Sequence, residues 1–251
     1  MTHVPKYAII IPTYNHCADL LKPCVESILA HTRMSDVELI ISANGCVDET
    51  KSYVENLIRD FTEIGFPHTV KLCWNDEPLG YAKACNSAIQ IASADKIVLL
   101  NNDCVLLPQP TNSWLEMLDA SFTRDAQCGI SCVIKGTCEP VARDFAMFFC
   151  VMIHKKVFDS IGLLNTEYGV GGGEDVEFSI EAERAGFHVN SCVDIRWIQD
   201  TKLHAGAYPI HHYGERTMYD TTLVSNYKEI VKMHSKKLAA KYNPQWLMNN
   251  P

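Results

Sequence analysis

Hydrophobic positions fall into two rhythms along the first hundred residues. Short continuous apolar runs at 7–12, 37–41, 70–74 and 96–100 have the length and the β-branched content of buried strands. Between them, at 19–31, 49–64 and 81–91, apolar residues recur at helical spacing, as in Leu20, Leu21, Cys24, Val25, Ile28 and Leu29. This alternation predicts βαβ units, hence a parallel sheet with helices on both faces. Beyond residue 100 the pattern is less regular. Helices are expected at 114–122, 157–161 and 174–185, and strands at 129–135 and 145–154. A single long helix is expected over 221–242, with Lys232, Lys236, Lys237 and Lys241 late in it. No internal repeat, low-complexity tract or linker divides the chain.

Two polar clusters interrupt these rhythms where chemistry is expected. The first is Gly171-Gly172-Gly173-Glu174-Asp175, which opens the apolar-periodic segment Val176, Phe178, Ile180, Ala182, Ala185 and stops at Gly186. Three glycines free the backbone to turn tightly, so this reads as a loop delivering two carboxylates to a helix N-terminus. Acids in a first helical turn also arise simply because the macrodipole favours them. The second cluster is Asn101-Asn102-Asp103, directly after the strand at 96–100. Ligands of α/β proteins bind outside the carboxyl ends of the strands, and a carboxylate there suits a hard divalent cation. Asn and Asp are equally ordinary turn formers. Each cluster has a bland reading; together they supply a metal ligand and a base.

Composition narrows the classes. A chain of 251 residues with 47% hydrophobic content can fill one sizeable core. A net charge of −8 argues against broad electrostatic binding to nucleic acid or anionic lipid. No apolar run approaches the roughly 18 residues of a membrane span, and the N-terminus lacks the basic-then-apolar order of a signal peptide. The expectation is a cytoplasmic protein without an integral membrane segment. The eleven cysteines form no C-x-x-C pair, and spacings such as Cys128/Cys132/Cys138 match no zinc pattern. They read as reduced, small core residues.

The first strand is followed by Pro12-Thr13-Tyr14-Asn15, and neither a G-x-G-x-x-G fingerprint nor a P-loop is present. A nucleotide would instead meet polar groups at the strand ends: Thr13, Tyr14 and Asn15, then Asn44 and Gly45, then Asn75 and Asp76. Each is also a natural loop-capping residue. At this point the chain resembles a known family, the family 2 glycosyltransferases, over residues 7 to about 217. Residues 10–15 resemble the family's opening strand and nucleotide loop, and 38–50 its second strand, loop and helix start. Residues 75–86, including Gly80 and Lys83, resemble the segment that packs under the nucleotide. Asn101-Asn102-Asp103 stands at the D-x-D motif, Glu174-Asp175 at the E-D motif, and His212-Tyr213-Gly214 at the late histidine loop. Six motifs in order make the resemblance specific.

The resemblance implies a GT-A fold: one Rossmann-like α/β domain over 1–220, its mainly parallel sheet flanked by helices, with a helical extension over 221–251 packed on the same domain. It implies an inverting enzyme that moves a sugar from a nucleoside-diphosphate donor to a hydroxyl, by default on a glycan or polysaccharide. Implied nucleotide contacts are Pro12, Thr13, Tyr14, Asn15, Asn44, Asp76, Gly80, Lys83, Asn101, Asn102 and Asp103. The implied cofactor is Mn2+ or Mg2+ held by Asp103 and His212, with His211 and Arg216 as phosphate or alternative metal contacts. His204 and Thr217 belong to the same late cluster. Asp175 is the expected general base and Glu174 an orienting acid. A helix N-terminus lowers a carboxyl pKa while desolvation raises it, and sequence does not decide between them.

Two positions depart from the family pattern. Ala43 replaces an acid that commonly contacts the base, leaving base recognition looser or shifted to Asp76. Asn101 replaces the first acid of D-x-D, and an amide oxygen is a poorer cation ligand than a carboxylate. Three further classes stay in view: a sugar-nucleotide pyrophosphorylase, which would want a basic glycine-rich loop where Thr13-Tyr14-Asn15-His16 stands; a catalytically inactive glycan-binding module; and a transferase acting on a hydroxylated DNA base, for which the late lysines are the one candidate basic face.

Overall fold

The computed structural model describes residues 4–193, 208–214 and 226–249. Its first half follows the predicted alternation: β1 (Tyr7–Thr13), α1 (Lys22–His31), β2 (Val37–Asn44), α2 (Thr50–Glu63), β3 (Val70–Asn75), α3 (Tyr81–Ile91) and β4 (Lys96–Leu100). A π-helical turn over Cys17–Leu21 leads into α1, with Leu20 and Leu21 N–H both donating to the His16 carbonyl. β1 lies between β2 and β4 and is parallel to both.

Side-chain alternation splits the core in two. Tyr7, Ile9 and Ile11 face Cys24, Val25 and Ile28 of α1, whereas Ala8 and Ile10 face Ala82, Cys85 and Ala88 of α3. The eight residues of β2 are all buried, the signature of a strand covered on both faces.

The second half departs from the simple pattern. After β5 (Cys104–Leu106) and α4 (Ser113–Arg124), the run expected at 129–135 is divided into β6 (Cys128–Cys132) and β7 (Lys135–Cys138). The run expected at 145–154 is likewise divided into β8 (Arg143–Ala146) and β9 (Cys150–His154). β7 and β8 form their own antiparallel ribbon, so the chain leaves the main sheet and returns. A continuous apolar run does not reveal such an exit, because both environments bury hydrophobic side chains.

α5 (Lys155–Ile161), α6 (Glu174–Arg184) and β10 (His188–Ser191) follow. The main sheet has the order β10-β6-β9-β4-β1-β2-β3. β9 pairs antiparallel with both β4 and β6, and the other pairings in this sheet are parallel. β11 (Ile210–His212) pairs antiparallel with β5. These three-residue strands exist only through their pairing, and sequence periodicity did not anticipate them.

The tail is α7 (Tyr227–Tyr242), then α8 (Pro244–Asn249), which opens on a proline. The expected start of the tail helix, at 221, lies outside the described residues. Leu238 and Ala239 are buried, and Tyr242 Oη donates to Glu181 Oε1 at 2.6 Å, so α7 lies against α6. All eleven cysteines are free thiols and eight are buried. Among the described residues no helix is long and apolar enough to cross a membrane.

One buried charge joins the parallel strands. Glu38, on β2, accepts from Ser93 N (2.6 Å), Ala94 N (2.9 Å), Ser93 Oγ (3.0 Å) and Lys71 Nζ (2.5 Å). Glu38→Ala would orphan two backbone donors and leave Lys71 with only its bond to the Ile91 carbonyl at 3.2 Å. We expect a loss of about 3 kcal/mol in urea denaturation; a loss below about 1 kcal/mol would mean that this network contributes little to stability.

Candidate active site

The carboxyl ends of β1, β2, β3 and β4 form a shelf whose polar groups mostly hold one another. Asn102 Nδ2 donates to Thr13 Oγ1 at 3.0 Å, and both residues are buried. Val47 N donates to Asn15 Oδ1 (2.8 Å), and Leu79 N to Asn44 Oδ1 (2.7 Å). Thr13, Asn15, Asn44 and Asn102 therefore set the loop geometry from which a nucleotide would be met.

Pro12 and Tyr14 are half-buried on the same shelf, while Asp76 and Lys83 are exposed. Asp76 accepts from Trp74 Nε1 at 2.9 Å. Gly80, at the start of α3, has φ +88°, and a Cβ there would lie 1.9 Å from the Gly169 carbonyl oxygen. Only glycine lets the acid-bearing loop approach α3 this closely.

Asp103 and His212 meet because β5 and β11 pair. Cys104 stands opposite His212 in the register, and Tyr213 N donates to the Asp103 carbonyl at 3.0 Å. His212 Nε2 lies 3.2 Å from Asp103 Oδ1. The His212 ring stacks on Phe149, with centroids 4.5 Å apart and planes 9° apart. Asn101 N–H donates to the Phe149 carbonyl at 2.8 Å.

His212 Nε2 and Asn101 Oδ1 are buried without hydrogen-bond partners among the described residues. Buried polar atoms left this way are ones that a bound ligand could satisfy. Ligand atoms of Asp103, Cys104 and His212 lie within 4.8 Å of one another, so the donor set fits a divalent cation. Burial drives the Cys104 thiol far above its usual pKa, and it meets the Phe149 carbonyl at 3.6 Å. Its adjacency to the site carried no signal in the sequence, nor did that of Phe149. His211 alternates to the other side of the ribbon, edge-on to Tyr213 at 4.4 Å. The structure thus brings His212, rather than His211, to Asp103. His204, Arg216 and Thr217 lie outside the described residues.

Glu174 and Asp175 open α6 behind Gly171, Gly172 and Gly173, whose φ angles are +132°, +88° and +135°. A Cβ on Gly173 would meet the Tyr168 ring at 2.6 Å. Glu174 is buried, and its Oε2 has no hydrogen-bond partner among the described residues; Asp175 is half-buried, and its Oδ1 accepts from Val176 N at 2.9 Å. Glu174 lies close enough to act electrostatically on Tyr81 and Cys85 of α3.

Against this geometry, residues 8–161 match the family described as Glycosyl transferase family 2, more than half of the chain. The chain belongs to that family. It is 27% identical, over 83% of its length, to the O-antigen biosynthesis protein RfbC of Myxococcus xanthus, of which it spans 18%. It is 31% identical, over 47% of its length, to the GalNAc(5)-diNAcBac-PP-undecaprenol beta-1,3-glucosyltransferase of Campylobacter jejuni, of which it spans 36%.

The fold is similar to that of the mannosyltransferase PcManGT from Pyrobaculum calidifontis, in complex with GDP-Man and Mn2+. The TM-score is 0.59 at 17% identity, covering 98% of this chain and 73% of that one. It is also similar to GalNAc-T7 with UDP, GalNAc and Mn2+, with TM-score 0.61 at 15% identity and coverage of 76% and 43%. The architecture is GT-A, as the resemblance implied.

In this family 2 domain the contest between helix N-terminus and desolvation has a winner. Burial raises both carboxyls of the E-D pair, and the charge of Asp175 pushes Glu174 further. Backbone N–H groups of Gly172 and Gly173 pull the other way without prevailing. A carboxyl whose folded pKa exceeds its unfolded one lends stability below the unfolded value, and loses it as pH rises through the folded value. Glu174→Gln removes one such group. Relative to wild type, we therefore expect its stability to improve by at least ~1 kcal/mol between pH 5 and pH 8 in denaturant titrations; a pH-independent difference would contradict the raised pKa.

Proposed function

We propose that this domain is an inverting glycosyltransferase that moves a sugar from a nucleoside-diphosphate donor to a hydroxyl of a glycan. Asp175 is the general base, and a divalent cation, Mn2+ or Mg2+, is held at Asp103 and His212. The observation that carries the reading is the pairing of two sites at one sheet edge: the Asp103–His212 cluster, with His212 Nε2 3.2 Å from Oδ1 of the buried Asp103, and the desolvated Glu174-Asp175 pair behind its glycine loop. The O-antigen and undecaprenol-linked activities named for the two curated relatives support a glycan acceptor. The Mn2+ named with both solved structures supports the cation.

One base suffices for direct displacement. Asp175 takes the acceptor hydroxyl proton as that oxygen bonds to the anomeric carbon, while the bond from that carbon to the diphosphate oxygen breaks. When bound, the cation would neutralise charge developing on the leaving diphosphate. His212 is held flat by Phe149, and Asp103 is held through its carbonyl by Tyr213 N, so both present fixed donors. Burial raises the Glu174 carboxyl as well, and Glu174, buried at the start of α6, orients the loop beside the base. Thr13, Asn15 and Asn44 shape the shelf for the nucleoside, with Asp76 exposed beside it.

A DNA acceptor has less support. Of the four late lysines, Lys237 pairs with Glu167, and Lys241 with Glu177 at 3.1 Å and Glu181 at 3.2 Å. Half of the candidate basic face is thus neutralised within the chain.

Asp175→Asn keeps the shape but cannot accept the proton. We expect at least ~10²-fold lower kcat across a UDP-, GDP- and dTDP-sugar panel, with nucleotide affinity retained; near-normal turnover would transfer the role to Glu174. In the wild type kcat should rise with pH, on an acid limb lying above the ordinary carboxylate range near ~4.

Calorimetric titration of Mn2+ with nucleotide tests the cation. Asp103→Ala should abolish metal-dependent affinity, His212→Ala should weaken it less, and Asn101→Asp should tighten it by adding a charged oxygen. Full activity in EDTA, with no difference among these variants, would leave the diphosphate to protein donors alone.

A further inference from the structure

The glycine loop in front of the E-D pair is not held by its own neighbours in sequence alone. His234, buried on α7, approaches the Gly172 carbonyl with Nδ1 at 2.8 Å. A carbonyl can only accept, so His234 carries its proton on Nδ1 and donates. The same peptide unit leads into Gly173, the residue that caps the N-terminus of α6, two positions before Asp175. A donor on the Gly172 carbonyl therefore fixes the orientation of the peptide from which the acid-bearing turn starts.

The His234 ring stands edge-on to Tyr168, at 5.0 Å and 83°. The Tyr168 ring occupies the space beside Gly173, and its Oη donates to Glu177 Oε2 at 2.5 Å. Lys237 Nζ covers the Tyr168 ring at 4.8 Å, and Lys241 and Tyr242 tie the end of α7 to Glu177 and Glu181 of α6. One helix therefore grips the glycine loop at its centre and the following helix along its flank.

We propose that α7 is a clamp on the catalytic loop, and that His234 is a positioning residue that sets Asp175 through the Gly172–Gly173 peptide. This rests on Asp175 as the base. The clamp explains how three consecutive glycines, each with positive φ and high intrinsic freedom, hold a carboxylate in one place. It also gives α7 a role in turnover, separate from the nucleotide shelf at the ends of β1 to β3.

The test is kinetic. His234→Phe keeps an aromatic ring against Tyr168 and removes the donor, while His234→Asn keeps a donor close to the Nδ1 position. With a nucleoside-diphosphate sugar donor we expect His234→Phe to lower kcat ~10- to 100-fold, with donor KM and nucleotide Kd within about threefold of wild type. His234→Asn should recover most of that loss. In the Asp175→Asn background His234→Phe should cost little more, because the group it positions is already gone.

Lys237→Ala/Lys241→Ala loosens the same helix from its surface and should lower kcat in the same direction, a readout that stands even if His234→Phe fails to fold. Equal loss in His234→Phe and His234→Asn, or unchanged kcat in both His234→Phe and the lysine pair, would overturn the clamp. If Asp175→Asn itself keeps full turnover, the base assignment fails instead, and the two failures are distinguishable.

Discussion

The site depends on one reversed strand. β9 enters the sheet antiparallel to β4, so that Cys150 at its start stands beside Leu100 at the end of β4. The residues just before β9 are thereby delivered to the carboxyl edge, where the parallel strands already end. Phe148 and Phe149 occupy that position. The Phe148 carbonyl accepts from Tyr81 Oη at 3.0 Å, and the Phe148 ring packs edge-on against Phe178 of α6. Phe149 stacks on His212 and accepts from Asn101 through its carbonyl. Two adjacent aromatic residues thus join the helix that carries the acids to the Asp103–His212 cluster. A parallel strand in the same slot would place its preceding residues at the opposite edge.

Close backbone approach is the second constraint. Gly80 lies against Gly169, and Gly173 against Tyr168, at separations no Cβ tolerates. These contacts pack the loop from 169 to 173 onto the start of α3 and the face of α6. The carboxyls that follow are consequently desolvated, and burial overrides the helix N-terminus that would otherwise keep them strongly acidic. Glycine here links geometry to electrostatics: the loop comes close, water leaves, and the pKa rises.

The polar shelf shows how similar residue types divide their work. Asn44, Asn15 and Asn102 each hold a neighbouring loop or side chain, whereas the buried amide oxygen of Asn101, two residues before Asp103, has no hydrogen-bond partner among the described residues. Composition cannot separate these asparagines. Their roles follow from which donor each loop brings within reach.

The alternating βαβ pattern of the first hundred residues was determined by sequence, because buried strands and amphipathic helices demand different hydrophobic periods. The two polar clusters at 101–103 and 171–175 were visible as element boundaries, since both interrupt the hydrophobic rhythm. Each also has an ordinary reading as turn former or helix start. Local periodicity carries no information on pairing. The tertiary structure alone decided that β9 is reversed, that 129–135 and 145–154 each divide between two sheets, and that β11 sets His212 rather than His211 against Asp103. It also decided that Cys104 stands beside Asp103 and His212 and that α7 reaches back to the Gly172 carbonyl. Each of these is a contact between segments distant in the chain, and its energy comes from burial and hydrogen bonds that exist only once those segments have met.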